Sequence, residues 1–519
     1  MLIGINDLMP ALKRWRCATI VRGKFDSMRD NPMTKTVIVG GGISGLATAF
    51  HLQECGPREY TLIEGAPRWG GKITTAREDG FAIEGGPDSF ITQKTAGTEL
   101  CKRLGLEDQL VGSNSGKGAT VYIWSGGRLH AMPEGMMLMA PTMVIPFLRS
   151  RLFSWPGKLR MGMEIFVPRA RTDEDESLAG FVRRRLGEEA LNKLAGPLMG
   201  GIYAADPERL SLKSTFPIFL EMEKKYGSLL RGMMRRAKRP EKPEAGPRAT
   251  HGAKRPPMFM SLRGGLQQLS DALVAQLPGT NLRTGCRALA VSRYAERYRI
   301  DLNDGSSLLA DDVVFATPSF VTADLMEQLD PALAERLRAI RYVSTATVSL
   351  GFRRSEIAHP LQGSGFIVPP SEGRRITACS WSSAKFQHRA PQDCVLLRVF
   401  VGGALAEELA EQDEAALVQL AREELQVIMG ITVTPVLAKA YRWPKANPQY
   451  DLGHEERVTE IEQTMSRFPG LHLAGAAYHG PGIPDCIQSG RKAAQAIAAR
   501  QARAGNSCRS DASAVCIES

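Results

Sequence analysis

Apolar positions in this chain fall into short uncharged runs that stop at glycine, and into helical stretches rich in small residues. Thr36-Val37-Ile38-Val39 is β-branched and uncharged, as a strand covered on both faces requires, and it runs straight into Gly40. Leu46-Ala47-Thr48-Ala49-Phe50-His51-Leu52 predicts a helix, and Tyr60-Thr61-Leu62-Ile63 a second strand ending at Glu64. Residues 288–291, 298–302 and 312–315 predict further short strands, with Asn303-Asp304-Gly305 turning a hairpin. Leu471-His472-Leu473-Ala474-Gly475-Ala476-Ala477 predicts a last buried strand. The Gly-rich stretch 480–490 then leads into an Ala-rich helix at Arg491-Lys492-Ala493-Ala494. Residues 136–148 are apolar and rich in methionine, interrupted by Pro141 and Pro146 and followed by Arg149, Arg151, Lys158 and Arg160. Such a segment suits a membrane interface, or a loop over an internal apolar cavity, and the two are compatible. No window reaches the ~18 uncharged apolar residues of a spanning helix.

At 519 residues, with 43% hydrophobic and 23% charged positions, the chain has enough material for several structural units and is not a disordered polymer. Its mean hydropathy is −0.18. The formal charge is +11, and residues 231–257 alone carry nine Arg or Lys against two Glu. Five prolines in that run predict irregular backbone, and without interleaved aromatics it does not read as a nucleic-acid reader. Nine cysteines without a C-x-x-C pair give neither a zinc knuckle nor a disulfide framework. Residues 1–33 are basic but lack the apolar core of an export signal; they form a loose arm or precede a start at Met28 or Met33. Cys516-Ile517-Glu518-Ser519 spells a prenylation box, but Glu518 contradicts it.

The candidate chemistry begins at Gly40, Gly41, Gly42, Ile43, Ser44 and Gly45, which satisfy G-x-G-x-x-G between strand and helix. Gly40 makes the turn, Gly42 admits a pyrophosphate and Gly45 lets helix pack on strand. Glu64, nineteen residues after Gly45, is placed to accept from ribose hydroxyls and disfavours a 2′-phosphate, hence NADP. Gly65-Ala66-Pro67-Arg68-Trp69-Gly70-Gly71-Lys72 and Glu84-Gly85-Gly86-Pro87-Asp88-Ser89 follow. With the glycine signature, these resemble the flavin amine oxidase superfamily. Arg68 and Lys72 suit phosphate charge, and the glycines suit close approach to an extended cofactor.

Three further stretches narrow the resemblance: Gly200-Gly201-Ile202-Tyr203-Ala204-Ala205-Asp206-Pro207, Trp443-Pro444-Lys445-Ala446-Asn447-Pro448-Gln449-Tyr450 and Gly482-Ile483-Pro484-Asp485-Cys486. Together they resemble the oxygen-dependent porphyrinogen oxidases of haem biosynthesis over residues 36–498. The resemblance implies noncovalent FAD and stepwise six-electron oxidation of coproporphyrinogen III or protoporphyrinogen IX by dioxygen, with peroxide released. Flavin N5 takes hydride in that chemistry, so no catalytic side chain and no metal are implied. Cofactor contacts would fall on residues 40–45, Glu64, Gly65, Arg68, Gly71, Lys72, Gly86, Pro87, Asp88, Ser89, Val291, Trp443, Gly475, Ile483, Pro484 and Asp485. Lys94 and His479 are the substrate-side candidates; Gln93 departs from the basic pattern of bacterial members. His51 and His472 read as packing residues.

The expected architecture is α/β within an overall α+β chain: a Rossmann-like FAD-binding domain of the amine oxidase type, a mixed-sheet substrate domain and a helical, membrane-associating subdomain. The FAD domain takes residues 34–94, 258–322 and 446–500, and the substrate domain 95–130 and 323–445. The helical subdomain takes 131–225, flanked by a basic N-terminal extension (1–33), a basic Pro-rich loop (226–257) and a flexible tail (501–519). A cytoplasmic monomer or homodimer is expected, peripheral on the inner membrane face, with a ferrochelatase-type enzyme as a candidate partner. A flavin amine or carotenoid-type oxidase, or a flavin-binding scaffold without turnover, are the competing readings.

Overall fold

The computed structural model describes residues 36–56, 59–114, 119–137, 140–141, 143–170, 174–238 and 257–514. The expected basic arm, residues 239–256 of the basic run and the 516–519 tetrapeptide lie outside them. Five parallel strands form the first sheet: β1 (Thr36–Val39), β2 (Tyr60–Glu64), β3 (Leu282–Thr284), β4 (Asp312–Phe315) and β5 (Leu471–Leu473). Their order is β3-β2-β1-β4-β5. Both faces are covered, which is why β1 shows no polar alternation. Ile38, Leu62 and Val314 face a cluster with the first helix, α1 (Ile43–Glu54), and the last, α2 (Ile483–Ala514). Val37, Val39, Ile63, Val313 and Phe315 face the opposite cluster, with Val291, Ile300 and Leu337. Each fully buried aliphatic or aromatic side chain contributes roughly 1.5–3 kcal/mol of transfer free energy. The two helices meet backbone to backbone: a Cβ on Gly490 would stand 2.4 Å from the Ser44 carbonyl oxygen.

The hairpin expectation needs one correction. Strands Ala288–Tyr294, Arg297–Leu302 and Ser307–Ala310 form a three-stranded meander, its second turn at Asn303-Asp304-Gly305, with Gly305 at φ +82°. Asp312–Phe315 leaves that meander and becomes β4, paired in parallel with β1. Its uncharged interior residues suit a doubly covered strand better than an exposed hairpin.

A seven-stranded mixed sheet forms the second layer, with Leu437–Pro448, Tyr342–Arg353 and Cys394–Gly402 as its long antiparallel strands. One face is apolar: Ala346, Val348, Leu350, Leu397 and Val399 pack with Leu417, Leu420 and Leu425 of helix Glu414–Met429. The alternate residues include Thr347, Ser349 and Arg398, which are buried and polar. A sheet with one apolar and one buried polar face has something other than water on the polar side.

The third unit is helical, built around Phe181, Leu194, Phe219 and Met222. Its centre includes charge: Arg185 and Glu164 are fully buried and ion-paired, and Arg185 also lies 3.3 Å from Glu223. Glu164 accepts from Ser228 Oγ at 2.6 Å and from the Leu229 amide at 2.8 Å, at the start of helix Leu229–Lys238. The irregular run expected over 231–257 is therefore helical as far as Lys238, because its prolines begin only at 240 and its start is anchored by Glu164. Pro146 likewise does not end a helix: it lies in the first turn of Val144–Arg149, where no N–H is required. The tail expected from 501 continues α2 to Ala514. No helix among the described residues is long and apolar enough to cross a membrane.

Candidate functional site

The carboxyl ends of β1, β2, β4 and β5 converge where ligands bind in open parallel sheets. Gly40, at φ +109°, turns the chain out of β1; a Cβ there would meet the Ala316 carbonyl oxygen at 2.6 Å. A Cβ on Gly45 would come within 1.9 Å of the Gly40 carbonyl oxygen, so the turn closes against the helix backbone. Gly42 behaves differently. It is the N-cap of α1, no side chain caps the helix, and a Cβ built there meets nothing within 4 Å. An uncapped helix start beneath open space offers amide donors and a positive dipole end, which fits a pyrophosphate.

Glu64 closes one side of this cradle, accepting from the Gly41 amide at 2.6 Å and the Ala66 amide at 2.8 Å. Each carboxylate oxygen keeps a second lone pair, so the acid is oriented and still able to receive hydroxyls. Arg68, expected to balance phosphate charge, is engaged by its own loop. Its guanidinium donates to the carbonyls of Trp69, Gly71 and Ile73 and so fastens the loop that carries it. Gly70 donates its amide to Gly41 at 2.9 Å, and a Cβ on Gly71 would sit 3.1 Å from the Gly42 Cα. Lys72 is sequestered and donates to the Ala446 carbonyl. Burial draws its pKa down, while Cys486 pulls the other way.

The Gly85-Gly86-Pro87 loop is held from the polar face of the mixed sheet. The Gly85 carbonyl accepts from Trp443 Nε1 at 2.8 Å and from Thr347 Oγ1 at 3.0 Å. Arg398 donates to the Gly85 and Gly86 carbonyls. Around it, Glu84 pairs with Arg389 at 3.2 Å, and Asp88 with Lys385 at 2.9 Å. Burial would raise the Asp88 carboxyl, but Lys385 and Arg398 outweigh it and hold it well below the usual carboxylate range. Ser89 Oγ donates to Asp88 at 2.6 Å. Arg389, Arg398, Lys385 and Thr347 were not singled out from sequence. Arg398 carried a legible signal, a lone charge inside the apolar strand Cys394–Gly402; Thr347 carried none.

Gly475, at φ +135°, donates its amide to Ser489 Oγ at 3.1 Å, and α2 begins at Ile483 with Pro484 and Asp485 in its first turn. Asp485 is paired with Lys94 at 2.7 Å. Two residues expected to serve cofactor and substrate separately thus form one bridge, and the ammonium is not left free for a substrate carboxylate. His479 is exposed and bonded to Glu462 at 2.6 Å. Val291 is buried in its strand, packed among Val37, Ile63 and Ile300. Gly65 lies against the Arg287 side chain. His51, beside Glu54, and His472, beside Asp312, are structural partners. Among the described residues no group of His, Cys, Asp and Glu is arranged to hold a metal ion.

Comparison with known proteins agrees with this geometry. The model for flavin containing amine oxidoreductases matches residues 43–498. Coproporphyrinogen III oxidase of Bacillus subtilis is 38% identical over 463 residues, covering 88% of this chain and 96% of that protein. Human protoporphyrinogen oxidase is 33% identical over 485 residues, covering 90% and 98%. A crystal structure from Exiguobacterium sp. 255-15 superposes with a TM-score of 0.79 at 34% identity, covering 90% of this chain and 99% of its own. Reduced UDP-galactopyranose mutase, at 17% identity and a TM-score of 0.65, shares the fold alone. The chain belongs to the flavin-containing amine oxidoreductase family.

Proposed function

We propose that this protein is an oxygen-dependent porphyrinogen oxidase of haem biosynthesis that holds FAD noncovalently. The observation that carries this reading is the open, uncapped start of α1 at Gly42 beside the oriented Glu64 carboxylate, set against a glycine loop gripped by the mixed sheet. When bound, a flavin supplies two-electron oxidation of a C–H bond and passes the electrons to dioxygen. The chain's own residues do the rest. The α1 amides receive phosphate, Glu64 receives ribose hydroxyls, and Trp443, Thr347 and Arg398 fix the Gly85-Gly86 backbone. Lys72 donates to the Ala446 carbonyl and so ties the loop after Gly71 to the end of strand Leu437–Pro448.

Coproporphyrinogen III is the substrate we favour over protoporphyrinogen IX. The identity to coproporphyrinogen III oxidases, 38% and 35% in two bacteria, exceeds the 33% to the human protoporphyrinogen oxidase, and a +11 chain suits a four-propionate substrate. A peripheral membrane contact is part of the same reading. Val144, Trp155, Leu159 and Phe166 are 69%, 70%, 67% and 80% exposed on three consecutive elements. Lys158 ties two of them by donating to the Leu148 carbonyl at 2.8 Å. Large apolar side chains with Arg149 and Arg151 beside them suit an anionic bilayer surface.

Purified protein should be yellow, should release FAD on mild denaturation, and should raise porphyrin fluorescence faster with coproporphyrinogen III, with peroxide accumulating. A colourless preparation that takes up no flavin refutes the assignment. Peroxide from amines with no porphyrin formed would favour an amine oxidase.

A further inference from the structure

Gln449, Tyr450 and Asp451, just past strand Leu437–Pro448, touch three parts of the molecule at once. On the helical unit, the Ser211 amide donates to the Tyr450 carbonyl at 2.8 Å and Gln449 Nε2 donates to the Tyr203 carbonyl at 3.2 Å. Arg209 and Arg341 converge on Asp451, at 2.9 and 3.1 Å. The Tyr450 ring stacks on His454, centroids 3.9 Å apart, and stands 5.8 Å from the Tyr203 ring.

The hydroxyl of Tyr450 is committed to one loop. It donates to the Ala476 carbonyl at 2.8 Å and accepts from the Gly480 amide at 2.6 Å. This loop joins β5 to α2 and is bounded by two glycines in the left-handed region, Gly475 at φ +135° and Gly480 at φ +140°. Such a segment has little intrinsic preference for one conformation. Stacking on His454 needs only the ring. The hydroxyl adds nothing to that packing, yet it satisfies two main-chain groups at a site where Tyr450 is 2% exposed.

We propose that Tyr450 is a positioning residue for the flavin. Its hydroxyl sets the Ala476 to Gly480 loop, and with it the start of α2, while its main chain ties that loop to the helical unit bearing Tyr203 and Ser211. Placement of the cofactor-side loop and of the helical unit is thereby coupled. This rests on the reading that the β5–α2 loop faces a bound flavin.

Tyr450→Phe keeps the ring and removes both bonds. The flavin dissociation constant should rise about tenfold. The visible flavin bands and the two-electron reduction potential should shift, and kcat should fall with KM little changed. In the wild-type protein, adding FAD should slow amide exchange in residues 476–480 and also in 209–212. Wild-type affinity, spectrum and potential in the variant overturn the proposal, as does protection that stops at 476–480. The exchange measurement decides alone if the variant does not fold. A wild-type protein that takes up no flavin removes the functional reading and this inference with it. A yellow wild type beside an unaltered variant removes only the role of Tyr450.

Discussion

The unit built on the parallel sheet and the helical unit solve opposite problems. The first packs its sheet between two apolar clusters and builds its working surface from backbone, at Gly40, Gly42 and Gly45. The second leaves Trp155 and Phe166 exposed and places an Arg185–Glu164 pair at its centre. A small ligand needs a rigid surface with little side-chain bulk, whereas a broad apolar contact needs bulk outside and some other device to hold the helices in register. A fully desolvated ion pair is such a device: weak as a source of net stability, strict about which helices lie beside it.

The sharpest way to break this contrast is at the glycines. Gly45→Ala puts a methyl 1.9 Å from the Gly40 carbonyl oxygen and should cost at least about 3 kcal/mol, with loss of flavin retention on gel filtration. Gly42→Ala, which meets nothing within 4 Å, should unfold at the wild-type denaturant midpoint yet bind flavin more weakly. If both variants unfold alike, the division into structural and ligand-facing glycines is wrong. In the helical unit, Arg185→Met strands Glu164 and should cost about 3–5 kcal/mol in urea unfolding, with much of it recovered by adding Glu164→Gln. Additive losses in the double variant would contradict the pairing.

Acid should act first on the parallel-sheet side. Burial lowers His454 from 6.5 to about 4, and His51 of α1 likewise. The unfolded chain takes up these protons near 6.5 while the folded chain refuses them until about 4. The stability they contribute is therefore complete above 6.5 and is lost as pH falls towards 4, by up to about 3 kcal/mol for each. A pH titration of the unfolding midpoint with His454→Phe should show a shallower acid slope than wild type. The smallest stability effect belongs to the exposed apolar face: Phe166→Ser should change unfolding by no more than about 0.5 kcal/mol. It should also reduce sedimentation with anionic vesicles several-fold.

How much was legible follows the range of the interactions. Gly40 to Gly45 and Glu64 could be placed because turn, helix start and strand end lie within one βαβ stretch and each residue type answers a local need. The Gly85 carbonyl was not legible in the same way. Its partners Thr347, Trp443 and Arg398 arrive from 262, 358 and 313 residues away, and only Trp443 was marked, by resemblance. Lys94 shows the same limit. Its place just past the flavin loop suggested a partner for a substrate carboxylate, while Asp485, 391 residues distant, takes it up. The helix Leu229–Lys238 was hidden for a related reason: composition averaged over 231–257 let distant prolines speak for residues that Glu164 anchors.

The order of strands in the first sheet has a consequence for biogenesis. β1 and β2 come from the opening of the chain, β4 from its middle, and β5 with α2 from beyond residue 470. A growing polypeptide carries a finished phosphate turn long before the strand and helix that complete its pocket have left the ribosome. Until residues 471–473 arrive, the outer edge of β4 stays unpaired and open to mispairing with another strand.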